Sequence, residues 1–282
     1  MKIALITDSV AYLSKEEQEK MNVYILPLSV EYEGNVYVEG EDLTGETFFD
    51  LIRGGATLPK SSQPTLGRTM ELFETLSKEY DAAIAVHLSS DISGTFQTTF
   101  SQKDSFDGFT VYPVDSRRAV GSQVMLLRLA HKLIQEGKTP EEIIPALQAH
   151  IQTHNVYFLV DDLTNLQKGG RLSATSAFVG KMLSIKPLLT IDGKIEAIEK
   201  IRTFKKGVSR IVELVEAHAA TLNNVPMSMF VYHGNALNVA EDLTQQLKAK
   251  FPDSEFQITS FGPVIGTHLG EGSVGVLFGE KV

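Results

Sequence analysis

The chain contains no cysteine, which excludes disulfides and thiolate metal sites. It has no apolar run approaching the ~18 residues of a membrane span, and no leader-like apolar stretch behind its first lysine. A cytoplasmic protein with no membrane span is the expectation. Positive charge is also short: 26 Lys and Arg stand against 35 Asp and Glu, a net charge of -9. Binding a phosphate backbone requires a cationic surface, so no nucleic acid is expected as a partner. The chemistry-bearing motifs are missing too. There is no Gly-x-Ser-x-Gly nucleophile elbow, no Walker A loop, and no HExxH or paired-ligand spacing among the seven histidines, so neither a metal nor another cofactor is expected. If ATP matters to this protein, another chain binds it. Gly270, Gly272 and Gly275 match a dinucleotide fingerprint formally, but a strand follows them where a helix is required.

What remains is an ordinary globular composition, with 282 residues of which 43% are hydrophobic and 22% charged. At roughly 150 residues per domain this favours two domains, with a boundary near residue 154 (1–154 and 155–282). The first half alternates strands and helices: strands at Lys2–Thr7, Asp81–His87 and Phe109–Val114, and a β-rich run at Val23–Tyr32. Helices fall at Glu46–Arg53, Leu66–Lys78, Thr95–Gln102 and Ala119–Glu136, with a further one after Thr139, Pro140 and Glu142, an N-terminal signature in order. Nearly all-apolar strands between helices predict a three-layer α/β/α unit with a parallel sheet. The second half differs. Pro187–Ile191 and Lys194–Ile201 flank Asp192-Gly193, a hairpin signal, so a mixed sheet is predicted there. Strands at Val156–Val160, Ser228–Tyr232, Phe256–Ser260 and Val274–Phe278 and helices at Lys206–Leu222 and Leu237–Phe251 complete it. A broken helix is read over Leu163–Leu183.

Ligands of open α/β sheets sit beyond the carboxyl ends of strands, where loops lead into helices. Asp8-Ser9 follows the first strand, Ser61-Ser62-Gln63-Pro64-Thr65 precedes a helix, and Ser89–Thr95 leads from the buried strand Asp81–His87 into the helix Thr95–Gln102. Ser9 or Thr65 alone reads as an N-cap or serine turn. Ser93-Gly94 points further, because its loop carries three serines and a glycine that lets backbone approach a ligand. Hydroxyls and free amides at a helix start suit an anion. Two more segments stand out: residues 262–272, read as a glycine-rich loop between strands with a lone His268, and Lys168–Leu172, where Arg171 follows a glycine pair. Ser93 and His268 leave open a self-sufficient serine-dependent acyl hydrolase or transferase, although no acid is assigned to orient the histidine.

Taken in order, Thr7-Asp8-Ser9, SSQPT, SSDISGT, Val114-Asp115-Ser116, KGGR, Lys186-Pro187 and GPVIGTHLGEG resemble the DegV family of bacterial fatty-acid-binding proteins, from about residue 3 to 280. The resemblance implies a DegV-like two-domain fold with a long-chain fatty acid between the domains, its tail in an apolar tunnel. It implies a lipid carrier rather than an enzyme; a monomer is expected separately, because no sequence feature demands a partner surface. The carrier presents the acid to a separate ATP-dependent fatty acid kinase, which makes an acyl phosphate for phospholipid synthesis. Carried over by position, Ser62 and Ser93 bind the carboxylate with Ser61 and Gly94 adjacent, His268 completes the network, and Arg171 sits at the mouth to meet the kinase or the acyl phosphate. Phe178, Met182, Leu183, Ile185 and Leu188 are candidate tail contacts or plain core. A carrier or sensor of another amphipathic anion is the remaining alternative. Two departures bear on the site. Ser61 replaces the common threonine and keeps the hydroxyl. Glu271 replaces a proline after the histidine, which loosens the loop and adds a negative charge near an anion site.

Overall fold

The structure is a computed structural model, and it describes residues 1–55, 57–173 and 185–282. Its first half builds an all-parallel sheet in the spatial order Val23–Leu26, Ile3–Asp8, Ala82–His87, Thr110–Asp115. Strand side chains alternate between faces. Ala4, Ile6, Ala83 and Ala85 therefore meet Phe73 and Leu76 of the helix Leu66–Ser77. Leu5, Ile84 and Val86 point the other way, against Leu126 and Leu127 of Gly121–Gln135 and Ile143 and Leu147 of Pro140–Ile151. Both faces are covered, and this is why these strands are apolar throughout. Thr139 and Glu142 form the expected capping box.

The run Val23–Tyr32 is not one strand. Pro27 has no N–H to give a ladder, and the chain changes sheets there. Val23–Leu26 edges the parallel sheet, whereas Ser29–Tyr32 is the centre of a three-stranded antiparallel sheet, between Asn35–Val38 and Lys60–Ser62. Glu33 and Gly34, both at positive φ, make the two-residue turn that closes the hairpin. Ser61 and Ser62 thus lie on a short edge strand rather than in a loop.

The six-stranded sheet of the second half has the order Lys194–Ile201, Lys186–Asp192, Asn155–Leu159, Val274–Glu280, Met227–His233, Glu255–Ser260. It is antiparallel except for its last pair, which is parallel. Gly193, at φ 75°, turns the predicted hairpin. Leu159, Leu188, Met229, Val231, Val276 and Phe278 pack beneath the helices Phe204–Thr221 and Leu237–Lys250. Among the described residues no such helix pair covers the opposite face; the helix Gly121–Gln135 packs on part of it, where Gly121 meets the Phe230 ring. Val156, Phe158, Leu189, Ile191, Tyr232 and Leu277 join Leu28, Val30, Phe48, Leu88 and Val120 of the first half in one shared cluster.

Two further expectations change. Residues 262–272 are not a loop: Pro263–Leu269 is a helix, entered by extended Gly262 with Pro263 in its first turn and ended at Gly270, φ 77°. Of the helix read over Leu163–Leu183, Thr164–Lys168 forms and Gly169 caps it; the part from Ala174 to Leu183 lies outside the described residues. Among the described residues no helix is long and apolar enough to cross a membrane.

Candidate binding site

The shared cluster encloses a cavity with a volume of about 880 Å³, part of it open to solvent. Most of its wall is apolar: Leu28, Leu88, Val120, Val156, Phe158, Ile191, Ile195, Tyr232, Phe261, Val264 and Leu277 contribute. Gly275 faces Phe158 across the ladder, and a Cβ there would lie 2.4 Å from the Phe158 Cβ. Val120 enters the helix Gly121–Gln135 at φ 50°, ψ -118°, a conformation that costs a β-branched residue of order 1–3 kcal/mol and that clusters at functional sites.

Polar groups gather at one end, where Ser61, Ser62, Gln63, Ser93, Gly94, Arg171 and His268 all line the wall. They come from three places in the fold: the edge strand Lys60–Ser62, the turn before the helix Thr95–Ser101, and the helix Pro263–Leu269 with the Gly169-Gly170 turn against it. Ser61 Oγ and His268 Nε2 are 2.7 Å apart. Ser93 Oγ accepts from the Thr95 amide at 3.3 Å and lies 2.9 Å from the Thr95 hydroxyl. Arg171 donates to the Ile92 carbonyl at 3.3 Å and the Gly169 carbonyl at 2.6 Å, which ties it to the serine loop.

Burial, aided by the nearby Arg171 charge, pulls the His268 imidazole down to about 4, so the ring is neutral at physiological pH. A neutral ring can donate Nε2–H to Ser61, which leaves the Ser61 proton free to point at an anion. His268 Nδ1 is buried and has no partner among the described residues. The glycines have steric reasons. A Cβ at Gly169 would fall 2.7 Å from His268 Nδ1, and one at Gly94 would fall 1.9 Å from the side-chain Oε1 of Gln63, which would have to turn away. Gln63 in turn donates to the Thr98 hydroxyl at 2.8 Å.

Ser61, Arg171 and His268 also face an outer pocket, lined further by Thr57, Lys60, Asn165, Lys168 and Thr267. Its described lining carries three cations and no carboxylate. This is a local exception to the net charge of -9.

The structure brings Ser61, Ser62, Ser93, Gly94, His268 and Arg171 together as the sequence suggested. Of the residues left open between tail contact and plain core, the two that are described do not line the cavity. Leu188 is fully buried among the helices behind the six-stranded sheet, one position out of phase with Leu189 and Ile191, which face the cluster around the cavity. Ile185 precedes that strand half-buried and does not line the cavity. Phe178, Met182 and Leu183 lie outside the described residues. The other two loop serines are structural: Ser89 donates to the Gly193 carbonyl at 2.7 Å and Ser90 to Asp115 at 2.6 Å. Glu271 does not approach the site, because Arg53 at 2.8 Å and Asn235 at 2.5 Å hold its carboxylate elsewhere. Sequence reading missed the wall residues, which come from seven or more separated segments. Strand parity was the available signal for Phe158, Ile191 and Leu277.

Fold and site together define a class: a three-sheet α/β protein whose halves close on an apolar cavity tipped with hydroxyls, an imidazole and a guanidinium. Residues 2–281 match the family described as uncharacterised protein, DegV family, and the chain belongs to it. It is 42% identical over 278 residues to protein DegV of Bacillus subtilis, with 98% of each chain covered. The crystal structure of that fatty acid binding protein matches with a TM-score of 0.92 over 100% of both chains. A fatty acid binding DegV family protein from Streptococcus agalactiae, 34% identical, matches with a TM-score of 0.92, again over 100% of both chains.

Proposed function

We propose that this protein binds a long-chain fatty acid in the cavity, carboxylate at the Ser61, Ser62, Ser93 and His268 end, and hands it to a separate ATP-dependent kinase. The carrying observation is the division of one cavity into an apolar body and a tip of hydrogen-bond donors. Each methylene buried contributes about 0.8 kcal/mol, so roughly 14 of them contribute about 11 kcal/mol before ordering costs. The carboxylate must shed water, and two or three charge-assisted hydrogen bonds at about 1.5–3 kcal/mol each offset that. The tail sets affinity and the tip sets orientation.

A self-sufficient serine hydrolase or transferase is the poorer reading. His268 bonds to Ser61, and its Nδ1 lacks the acid that would orient it as a base. The cations of the outer pocket, Lys60, Lys168 and Arg171, support a role for Arg171 facing outward, where a partner kinase or the phosphate of an acyl phosphate needs positive charge.

Native mass spectrometry of freshly purified protein, followed by denaturation and identification of released lipid, tests the ligand. A stoichiometric fatty acid is expected; a different amphipathic anion, or acyl-ester turnover lost in Ser93→Ala, would displace this reading. The Ser62→Ala/Ser93→Ala double variant should bind palmitate at least roughly tenfold more weakly. Arg171→Ala spares the hydroxyls, so it should lose far less affinity while blocking phosphoryl transfer by the kinase.

A further inference from the structure

The Thr7-Asp8-Ser9 triplet stands at the end of the first strand, and neither Asp8 nor Ser9 lines the cavity or the outer pocket. Their contacts nevertheless lead to both halves of the polar tip. Asp8 is fully buried. Its carboxylate accepts from the Val10 amide at 3.2 Å, Gln123 Nε2 at 2.9 Å, the Leu88 amide at 3.0 Å and His87 Nδ1 at 3.1 Å. The other face of the His87 ring places Nε2 2.9 Å from the Thr99 hydroxyl, also fully buried. Thr99 sits in the helix Thr95–Ser101, and Thr95 of that helix holds Ser93. Asp8 therefore grips the segment carrying Ser93 at both ends, at Leu88 directly and at Thr99 through His87. The order acid, imidazole, hydroxyl is that of a nucleophilic triad. All three groups are sealed from solvent and from both pockets, so the arrangement can only hold.

Ser9 makes the second connection. Its hydroxyl accepts from the Leu28 amide at 3.1 Å and donates to Glu39 at 2.5 Å. Glu39 is buried, accepts from the Tyr12 hydroxyl at 3.2 Å, and accepts at 2.9 Å from the amide of Val264. Val264 lies in the first turn of the helix that carries His268. Gly262 is required beside this carboxylate, since a Cβ there would lie 2.5 Å from a Glu39 oxygen.

We propose that Asp8 and Ser9 are paired positioning residues that hold the two arms of the carboxylate clamp in register, Asp8 fixing the Ser93 arm through His87 and Thr99, and Ser9 fixing the His268 arm through Glu39. The two arms stand 175 positions apart in the chain, from Ser93 to His268, and adjacent residues of one strand end set both. The proposal rests on the fatty-acid reading of the site.

The test separates head from tail. Affinities for palmitate and for hexadecanol, which has the same chain without the carboxylate, are measured for the wild type and for Asp8→Asn, Thr99→Val, Thr99→Ser and Ser9→Ala, with melting temperatures alongside. The wild type should prefer palmitate. Thr99→Val, nearly isosteric, and Ser9→Ala should each lose roughly tenfold on palmitate and less than roughly threefold on hexadecanol. Thr99→Ser, which restores the hydroxyl, should recover the preference. Equal losses on both ligands, or an unchanged preference in Thr99→Val and Ser9→Ala, would overturn the positioning role even if Asp8→Asn fails to fold. A wild type that binds neither ligand would instead overturn the fatty-acid reading.

Discussion

His268 shows at the scale of one residue what the sequence conceals. A lone histidine in a glycine-rich segment was legible as a site candidate, but its protonation was not, because burial depends on segments far away in the chain. Burial and Arg171 hold the ring down at about 4, below the ordinary value near 6.5. Because the folded ring is harder to protonate than the unfolded one, the stability it contributes is complete above about pH 6.5 and is lost as pH falls from there toward 4. In ligand-free protein, ring proton resonances assigned through His268→Asn should stay flat from pH 8 to 5 and move near 4. Movement near 6.5 would show a ring in free contact with water. Ser62 and Ser93 were legible from hydroxyl and glycine composition. Leu188 stayed open between tail contact and plain core, because an apolar run gives no phase until the sheet exists.

At the scale of elements, the two periodicities fixed most of what could be read. The helix cap at Thr139 and the turn at Gly193 are local chemistry, and the structure has them. The short elements escaped: Lys60–Ser62 is a three-residue strand of polar residues, and Pro263–Leu269 a seven-residue helix holding a proline and an internal glycine. Both are made by tertiary contact, through pairing with Ser29–Tyr32 and through packing on Phe48 and Phe49. Strand parity at Lys186–Asp192 yields a paired prediction. Leu188→Ala should cost about 2–5 kcal/mol of stability, as buried leucines do, and leave the preferred acyl length unchanged. Ile191→Trp should narrow the cavity and shift preference to shorter acids with a smaller change in urea midpoint. A chain-length series on both variants decides it; the same shift in each would mean that the two faces are not independent.

Across the whole molecule, the expected boundary near residue 154 falls just before Asn155, where the six-stranded sheet begins. Yet the largest contiguous set of buried side chains draws on both sides of it, and Val264 and His268 reach back to Glu39 and Ser61. We propose that the halves do not fold separately. Calorimetry should show one cooperative transition, and residues 1–154 expressed alone should expose apolar surface and bind a hydrophobic dye. Two resolved transitions, or a cooperative isolated half, would contradict this. Sequence periodicity divides the chain by sheet type and says nothing about which sheet faces another.

Among the described residues, a helix pair covers one side of the six-stranded sheet, and on the other side the helix Gly121–Gln135 covers only part. Whatever fills the cavity on that side completes the cover, so an acyl chain held there would act as a removable piece of the hydrophobic core. A ligand that binds only the folded chain raises its stability by about 2.7 kcal/mol at one hundred times its dissociation constant. If the ligand is the proposed fatty acid, the amount of intact protein in a cell would follow its supply, and protein half-life would become a gauge of lipid abundance.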